Sequence, residues 1–186
     1  MRKNFGPQSW LYPMPVLIIS TYDEKGNPNA MNAAWGGIYD TNKLAVCIDP
    51  GHKTAKNLML RKSFTVSIGD AAHVTECDYL GITSGNKVPD KIAKAGFTVS
   101  KSEFVDAPVI NELPMNIECR VISFDENAGC TVAEIVNISA DESILDENGR
   151  ISPAKFEPIT FDPVNHTYLK LGTAAGHAFK DGAKIK

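Results

Sequence analysis

A chain of 186 residues, 43 % of them hydrophobic, is long enough for one domain with a substantial core, and a chain of this length buries roughly 70 % of the surface that it exposes when unfolded. Its net charge of -3, with scattered lysines, gives no electrostatic reason to expect nucleic-acid binding. The best apolar run, residues 16–19, is far shorter than the roughly 20 residues of a membrane span, and the basic start lacks the apolar region of a signal peptide. We therefore expect a single cytoplasmic domain over residues 1–186, with no membrane role.

The first third of the chain is typical of strands joined by a hairpin turn. Residues 16–21 and 44–48 are apolar runs of strand length. The sequence Asp-Glu-Lys-Gly at residues 23–26 is a turn signal, and it joins the first strand to the small-residue segment 29–35. The pattern predicts an antiparallel hairpin, and core packing is the leading interpretation for Trp35 near its end.

Helices are predicted in the middle of the chain. Helical stretches are indicated at residues 54–61, around residues 74–80 and at residues 90–94. Gly96 follows the last of these in the position of a C-terminal cap. We expect these helices to decorate a sheet, since strand patterns precede and follow them.

A long strand pair dominates the second half of the chain. Residues 115–124 and 130–138 alternate between apolar and polar across an acidic turn, which predicts an antiparallel pair. The proline-spaced residues 151–163 are predicted to form an extended excursion that reaches over a neighbouring subunit. Periodicity therefore favours a mainly β, α+β chain, and closure of an antiparallel barrel would hide the strand edges.

Two segments, about one hairpin apart, carry ligand-binding chemistry. Residues 29–34 form a small-residue strand against which a flat polar ring could lie, with asparagine amides that both donate and accept hydrogen bonds. Thr54 is predicted to be the N-cap of a helix, where free backbone N–H groups and the ammonium of Lys53 favour an anion. A planar heterocycle that carries one phosphate would fit both segments.

Each of these features also has an ordinary structural explanation. Asn29 and Asn32 would suit a hairpin turn and a strand edge without any ligand. Thr54 would cap a helix whether or not a phosphate is bound. Lys53 by itself would be a solvated charge, so the case for a phosphate rests on its position beside the helix start.

The remaining reactive residues show no signature of a catalytic, metal or disulfide site. The four cysteines are widely spaced without a Cys-x-x-Cys motif, and the four histidines form no close pair in sequence. Cys47 and Cys119 lie in apolar strand patterns, so we expect reduced, structural thiols. Nucleophile elbows, Walker loops and dinucleotide fingerprints do not occur, and Gly36-Gly37 lacks the fingerprint spacing. A hydrolase, a P-loop enzyme and a Rossmann enzyme are therefore poor candidates.

A series of short motifs, in order and in register, resembles a known family. The motifs are Ser20-Thr21 at the end of an apolar strand, Gly26 in the turn, Asn29-Ala30-Met31, Trp35-Gly36, Lys53-Thr54, Phe64-x-Val66, Ser84-Gly85, Asp90-Lys91 before Ala95-Gly96, Ala107-Pro108 and Glu118-Cys119. Together they resemble the flavin reductase-like family, and its flavoredoxin branch in particular, over roughly residues 10–140. The resemblance implies an antiparallel split β-barrel, the FMN-binding split barrel, with peripheral helices and with FMN as cofactor.

The resemblance also implies a set of cofactor contacts. They are Asn29, Ala30, Met31, Asn32, Ala33, Ala34, His52, Lys53, Thr54, Ser67, Ser84, Gly85 and Lys91. Two positions depart from the family pattern: His52 stands where Arg is common, and Ser67 stands where relatives often carry Asn near the flavin. A neutral imidazole offers one donor in place of a guanidinium fork, so Lys53 is expected to take over the anion-binding role.

Some of these contacts also have simpler explanations. Ser84 and Gly85 would need no ligand as plain turn residues. Lys91, at the predicted start of a helix, would equally suit an exposed surface charge.

The resemblance implies redox chemistry through bound FMN, with no catalytic acid or base required. One function is an NAD(P)H-dependent flavin or acceptor reductase that takes hydride from NADH or NADPH and passes electrons to a small-molecule acceptor. A second is an electron carrier that exchanges electrons with a redox protein partner, and a third is a module that has lost its cofactor. In each redox case the resemblance implies a homodimer.

Overall fold

The computed structural model describes residues 1–185, and most of its regular structure is in strands. The strands are β1 (Met14–Pro15), β2 (Leu17–Tyr22), β3 (Pro28–Ala33), β4 (Gly36–Asp40), β5 (Lys43–Cys47), β6 (Ser63–Ile68), β7 (Val99–Lys101), β8 (Pro108–Ile110), β9 (Met115–Asp125), β10 (Cys130–Ala140), β11 (Ile159–Asp162) and β12 (Thr167–Lys170). The helices are α1 (Lys53–Arg61), α2 (Val74–Ile82), α3 (Lys91–Lys94) and α4 (Pro153–Phe156), with 3-10 turns at Glu142–Ile144 and Asp181–Lys184. The prediction of a mainly β chain with peripheral helices is confirmed.

Seven strands form one antiparallel sheet that curls into a half-barrel. Their order across the sheet is β3, β2, β6, β9, β10, β5 and β4. The strands β3 and β4 are consecutive in the chain but lie at opposite edges of this sheet, and only residues 34–35 join them. Because so short a link must span the two edges, the sheet cannot be flat, and the split-barrel curvature follows.

The sheet buries apolar side chains on both of its faces. Inside the curl, Ile19 and Phe64 pack with residues of the other strands and with Leu58 of α1. On the opposite face, Ile18 of the same strand packs with Leu80 of α2. The strand β2 therefore lies between two cores, which explains why its sequence is apolar throughout instead of alternating.

The end of the chain differs from its prediction. Residues 151–163 are not an extended excursion, because they contain α4 and β11. The strand β11 pairs with β1 on one side and with β12 on the other. The side chains of Phe156 and Ile159 are buried within the same chain. The apolar residues of this segment therefore cover the chain's own core.

Two further local observations bear on the predictions. Gly96 has a positive φ of 81° in the position after Ala95, the C-cap of α3, where a helix-terminating glycine usually stands, so that prediction is confirmed. Trp35 was expected in the core, but 60 % of it is exposed, since it lies in the short link between the two sheet edges. None of the helices within residues 1–185 has the length and apolar character needed to cross a membrane.

We expect Phe64→Ala to destabilise the fold severely, because Phe64 is fully buried inside the curl of the sheet. Removal of a buried Phe side chain typically costs about 3–5 kcal/mol of unfolding free energy. Urea unfolding followed by circular dichroism measures this loss. Phe104→Ala is the matched control, since Phe104 is 52 % exposed, and an equal loss for both variants would contradict the assignment of the core.

Candidate functional site

A cavity of about 210 Å³ lies along the edge strand β3. The first turn of α1 closes it on one side, and the C-terminal end of α2 with the turn that follows closes it on the other. Its lining residues come from four separate parts of the chain: Asn29, Met31, His52, Lys53, Thr54, Leu80, Gly81, Ile82, Thr83, Ser84, Gly85 and Lys91. Because β3 is an edge strand, backbone donors and acceptors on its free side are available to a ligand.

The buried amide of Asn29 ties β3 to the start of α1. Its Nδ2 donates a hydrogen bond of 2.8 Å to Oγ1 of Thr54, and both side chains are almost completely buried. Thr54 is not the N-cap that the sequence predicted. The helix begins at Lys53, so His52 takes the cap position, with an extended backbone and no capping bond from its side chain. Thr54 instead fixes the first turn of α1 against the strand.

Gly85 approaches Asn29 so closely that a larger residue would not fit. A Cβ atom built on Gly85 would lie 2.1 Å from Oδ1 of Asn29 and 3.4 Å from Cδ of Lys53. The turn after α2 is therefore pressed against both β3 and α1. The neighbouring Ser84 accepts a hydrogen bond of 3.3 Å from the backbone N–H of Asn86, as expected of a turn residue.

The ammonium of Lys53 is held at the mouth of the cavity by an ion pair. Its Nζ lies 3.1 Å from Oδ2 of Asp23, and the two side chains are 18 % and 14 % exposed. Burial would raise the pKa of Asp23, but hydrogen bonds from the Asn27 backbone and from Lys53 outweigh it and hold that pKa at about 2. The Asp23 carboxyl is therefore ionised at neutral pH. Arg61 at the other end of α1 donates to the backbone oxygen of Asp23, which anchors the hairpin turn to the helix.

A second groove, of about 370 Å³, continues outward from this point. It shares Lys53 and Gly85 with the cavity and adds Lys56 and Asn86. The N-terminal turn of α1 thus lies between the two spaces. Asp23 and Glu24 line the groove as well as Lys53 and Lys56, so the charges there are mixed, and the N–H groups at the start of α1 add partial positive charge where the cavity meets the groove.

Lys91 is buried and contributes an amine to the cavity wall. It is only 2 % exposed, and its Nζ donates bonds of 2.9 Å to the Leu80 oxygen and 2.8 Å to the Thr83 oxygen. An ammonium carries three donors, so one remains for another partner. Burial lowers the pKa of Lys91 to about 8. The alternative of an exposed surface charge is therefore wrong.

The structure brings most of the predicted site residues to the cavity. Those that line it are Asn29, Met31, His52, Lys53, Thr54, Ser84, Gly85 and Lys91. Their contact with a ligand stays a prediction.

The other predicted contacts lie outside the cavity lining. Ala30 is buried in the core beneath α2. Ala33 packs against the core inside the curl, and Ala34 follows the end of β3. Ser67 is fully buried and donates its hydroxyl to Oδ1 of Asn116, so the two side chains satisfy one another. The structure thus gives Ser67 a partner within the fold.

Asn32 also lies behind the cavity wall. Its Nδ2 is 3.2 Å from the Cys77 oxygen and 3.4 Å from the hydroxyl of Tyr168. Tyr168 in turn donates to Asp78 at 2.8 Å. Burial, followed by the Asp78 carboxylate, raises the pKa of Tyr168, so its proton stays in place and the network holds α2 against β3.

Sequence reasoning missed the contribution of α2. Leu80, Gly81, Ile82 and Thr83 all line the cavity. Gly81 lies against β3, since a Cβ built on it would be 3.2 Å from Cβ of Asn32. A signal was present, because the predicted helix at residues 74–80 runs directly into the Ser84-Gly85 turn.

Comparison with known proteins identifies the family. The family model described as the flavin reductase like domain matches residues 9–161, which is most of the chain. The chain belongs to the flavin reductase-like family. The match includes every residue that lines the cavity, and the resemblance seen in the motifs is confirmed.

Solved structures agree with this assignment. The flavoredoxin of Desulfovibrio vulgaris (Miyazaki F) is 36 % identical with a TM-score of 0.94, over 98 % of this chain and 100 % of its own. The flavoredoxin from Methanosarcina acetivorans is 28 % identical with a TM-score of 0.90, over 100 % of both chains. An FMN-binding domain of a flavin reductases-like enzyme from Shewanella baltica OS155, 20 % identical with a TM-score of 0.77 over 88 % of each chain, shares the fold.

We expect the buried Lys91 to make stability depend on pH in the alkaline range. The pKa of Lys91 is about 8 in the folded protein and about 10.4 in an unfolded chain. Below pH 8 both states carry the proton, and the folded state bears the full cost of the buried charge. That cost is relieved as the pH rises from about 8 to about 10, so the unfolding free energy of the wild type should rise relative to that of Lys91→Met. Urea unfolding of both proteins between pH 7 and pH 10 measures this difference, and parallel curves would contradict the lowered pKa.

Proposed function

We propose that the cavity and its adjoining groove bind FMN and that the protein carries out redox chemistry through this flavin. The observation that carries the proposal is the convergence of four parts of the chain on one cavity, where Asn29, Lys53, Gly85 and Lys91 provide an amide, two cations and a close backbone approach. Membership of the flavin reductase-like family supports a flavin-binding redox function. The donor set suits a planar ring with a single phosphate.

The phosphate would lie at the start of α1. The first turn of this nine-residue helix offers backbone N–H groups that have no partner within the helix, and the helix dipole favours an anion there. Lys53 stands beside this turn, and Lys56 lines the adjoining groove. The ion pair with Asp23 keeps the Lys53 ammonium in position. It also offsets part of its positive charge, so the helix N–H groups would share in binding the phosphate.

The flavin ring would lie along the edge of β3. Asn29 is held in place by Thr54 and enclosed by Gly85, and Met31 supplies apolar contact from the same strand. FMN supplies a ring that accepts a hydride or electrons and returns them. Lys91 offers its remaining N–H and its positive charge to the ring edge, which would favour negative charge gained on reduction. Leu80 and Ile82 would exclude water from one side.

The function that we favour is an NAD(P)H-dependent flavin or acceptor reductase. The family is described as a flavin reductase like domain, which supports this candidate, and hydride transfer needs no acid or base beyond the flavin itself. The second candidate is an electron carrier that serves a redox protein partner. The 36 % identity to a flavoredoxin over 98 % of the chain supports this candidate, and the two share the same cofactor site.

We also propose that the active unit is a homodimer. Trp35, Ile38 and Tyr39 are 60 %, 70 % and 63 % exposed. Trp35 lies in the two-residue link after β3, and Ile38 and Tyr39 lie in β4, the opposite sheet edge, which this link ties to the end of β3. A two-fold contact through this surface would cover the apolar side chains and bring a second subunit to the flavin.

We expect Lys53→Met to weaken FMN binding at least tenfold while it leaves riboflavin binding nearly unchanged. Riboflavin has no phosphate, and a charge-assisted hydrogen bond contributes about 1.5–3 kcal/mol. Fluorescence titration with each flavin measures the two affinities. Lys25→Met, on the exposed hairpin turn, is the control. A second variant that also carries Asp23→Asn removes the carboxylate left behind, and equal losses of both flavins there would move the phosphate elsewhere.

We expect the flavin-loaded protein to be reduced by NADH or NADPH. Anaerobic stopped-flow mixing measures this as loss of the oxidised flavin absorbance, and a reductase should bleach within seconds of mixing with one of the two nucleotides. A protein that dithionite reduces but neither nucleotide reduces would be the electron carrier instead. Protein that binds no flavin at all would contradict both functions.

We expect the flavin-loaded protein to sediment as a dimer of 20.2 kDa chains. A stable dimer would bury on the order of 2,000 Å², and FMN should strengthen association because it would bind the dimer better than the monomer. Ile38→Lys should weaken dimer and FMN binding together. Ile122→Lys introduces the same charge at another exposed position and serves as the control. A loaded monomer in analytical ultracentrifugation would rule out a shared site.

A further inference from the structure

Two of the four cysteines are brought face to face by strand pairing. Cys47 ends β5 and Cys130 begins β10, and they are direct partners in the antiparallel register of these strands. Nothing in the sequence places them together, since 82 residues separate them. Both are free and partly exposed, whereas Cys77 and Cys119 are completely buried.

The backbone hydrogen bonds show whether Cys47 and Cys130 form a hydrogen-bonded or a non-hydrogen-bonded pair of the antiparallel ladder. The N–H of Cys47 donates to the Trp35 oxygen at 2.8 Å and so points away from β10. The next N–H, that of Ile48, donates to the Gly129 oxygen on the β10 side, also at 2.8 Å. This pattern makes Cys47 and Cys130 a non-hydrogen-bonded pair, in which the Cα atoms lie about 4.5 Å apart and the side chains approach most closely.

Both thiols lie on the face of the sheet opposite the core inside the curl. Along β5, Leu44 and Val46 are buried, and Cys47 belongs to the alternate, partly exposed positions. Burial, followed by the neighbouring Cys130 sulfur, raises the pKa of the Cys47 thiol, as expected when two sulfurs are close. Disulfides need Cα atoms about 4.4–6.8 Å apart, so the two strands would need little movement to be joined.

We propose that Cys47 and Cys130 form a reversible dithiol–disulfide site that peroxides oxidise and small thiols reduce. One thiolate attacks a peroxide oxygen, the O–O bond breaks, and a sulfenic acid and water form from hydrogen peroxide. The second sulfur attacks the sulfenic sulfur, the S–O bond breaks, and the S–S bond forms with release of a second water. Two electrons pass from the sulfurs to the peroxide. This step does not involve the cavity and does not depend on the proposed flavin.

The other two cysteines should not take part. Burial is the main reason that the pKa of Cys77 and that of Cys119 are each raised to about 12. The pKa of Cys47 is raised as well, so what separates Cys77 and Cys119 from the pair is their complete burial, which keeps a peroxide from reaching them. Cys119 lies among the side chains inside the curl, and Cys77 lies on the buried face of α2. The structure therefore selects one pair out of four cysteines.

The test is to treat the reduced, full-length protein with hydrogen peroxide and to count thiols after denaturation. We expect four thiols before treatment, two after it, and four again after dithiothreitol. Peptide mapping of the treated wild type should join Cys47 to Cys130 within one chain. Cys47→Ser and Cys130→Ser should each abolish this link, whereas Cys77→Ala should retain it.

Peptide mapping of the wild type tests the Cys47–Cys130 link even if a variant fails to fold. Four thiols after treatment, a bond between other cysteines, or a bond formed only between two chains would overturn the proposal. The oxidised protein should also show a higher thermal unfolding midpoint than the reduced protein, by roughly 5 °C or more, because the bond closes a long loop of the unfolded chain. Equal midpoints would count against the link.

Discussion

The close contact of Asn29 with Thr54 and Gly85 is the constraint on which the cavity depends. It joins the edge strand β3 to the first turn of α1 and to the turn after α2. A side chain at residue 85 would force these elements apart. The amide hydrogen bond is buried, so loss of one partner would leave a polar group without compensation. Sheet edge, helix start and turn therefore keep one arrangement, and a ligand would meet a site that is already formed.

Charge is distributed around this contact in two different ways. Lys53 is held by Asp23 at the mouth, where it can face a phosphate without losing its partner. Lys91 is buried and bonded only to backbone oxygens of the α2 end, which have no formal charge to neutralise it. An electron-rich ring edge would meet a cation that has no carboxylate partner within residues 1–185. This difference gives the two lysines separate functions in the proposed flavin site.

The family and the fold are the same for a reductase and for an electron carrier. The two functions differ in the electron donor, which is a pyridine nucleotide for the reductase and a redox protein for the carrier. Both functions would use the same cavity, because the flavin performs the chemistry and the protein positions it. The cysteine pair on the far face of the sheet adds chemistry that is independent of this choice. The pair arises from strand register alone, because Cys47 ends β5 and Cys130 begins β10.

The sequence by itself determined the long strands β2, β3, β5, β9 and β10, the helices α1 to α3, the family and the two ligand-binding segments, because apolar periodicity, turn residues and short motifs are local signals. It could not determine contacts between distant segments. Thr54 looked like a helix cap, but its hydroxyl partner is 25 residues away. The sequence left Lys91 as either a cofactor contact or an exposed surface charge, and only the packing of the chain shows that it is buried. Only the tertiary structure decided these cases, since burial and register depend on how the curled sheet brings distant residues together.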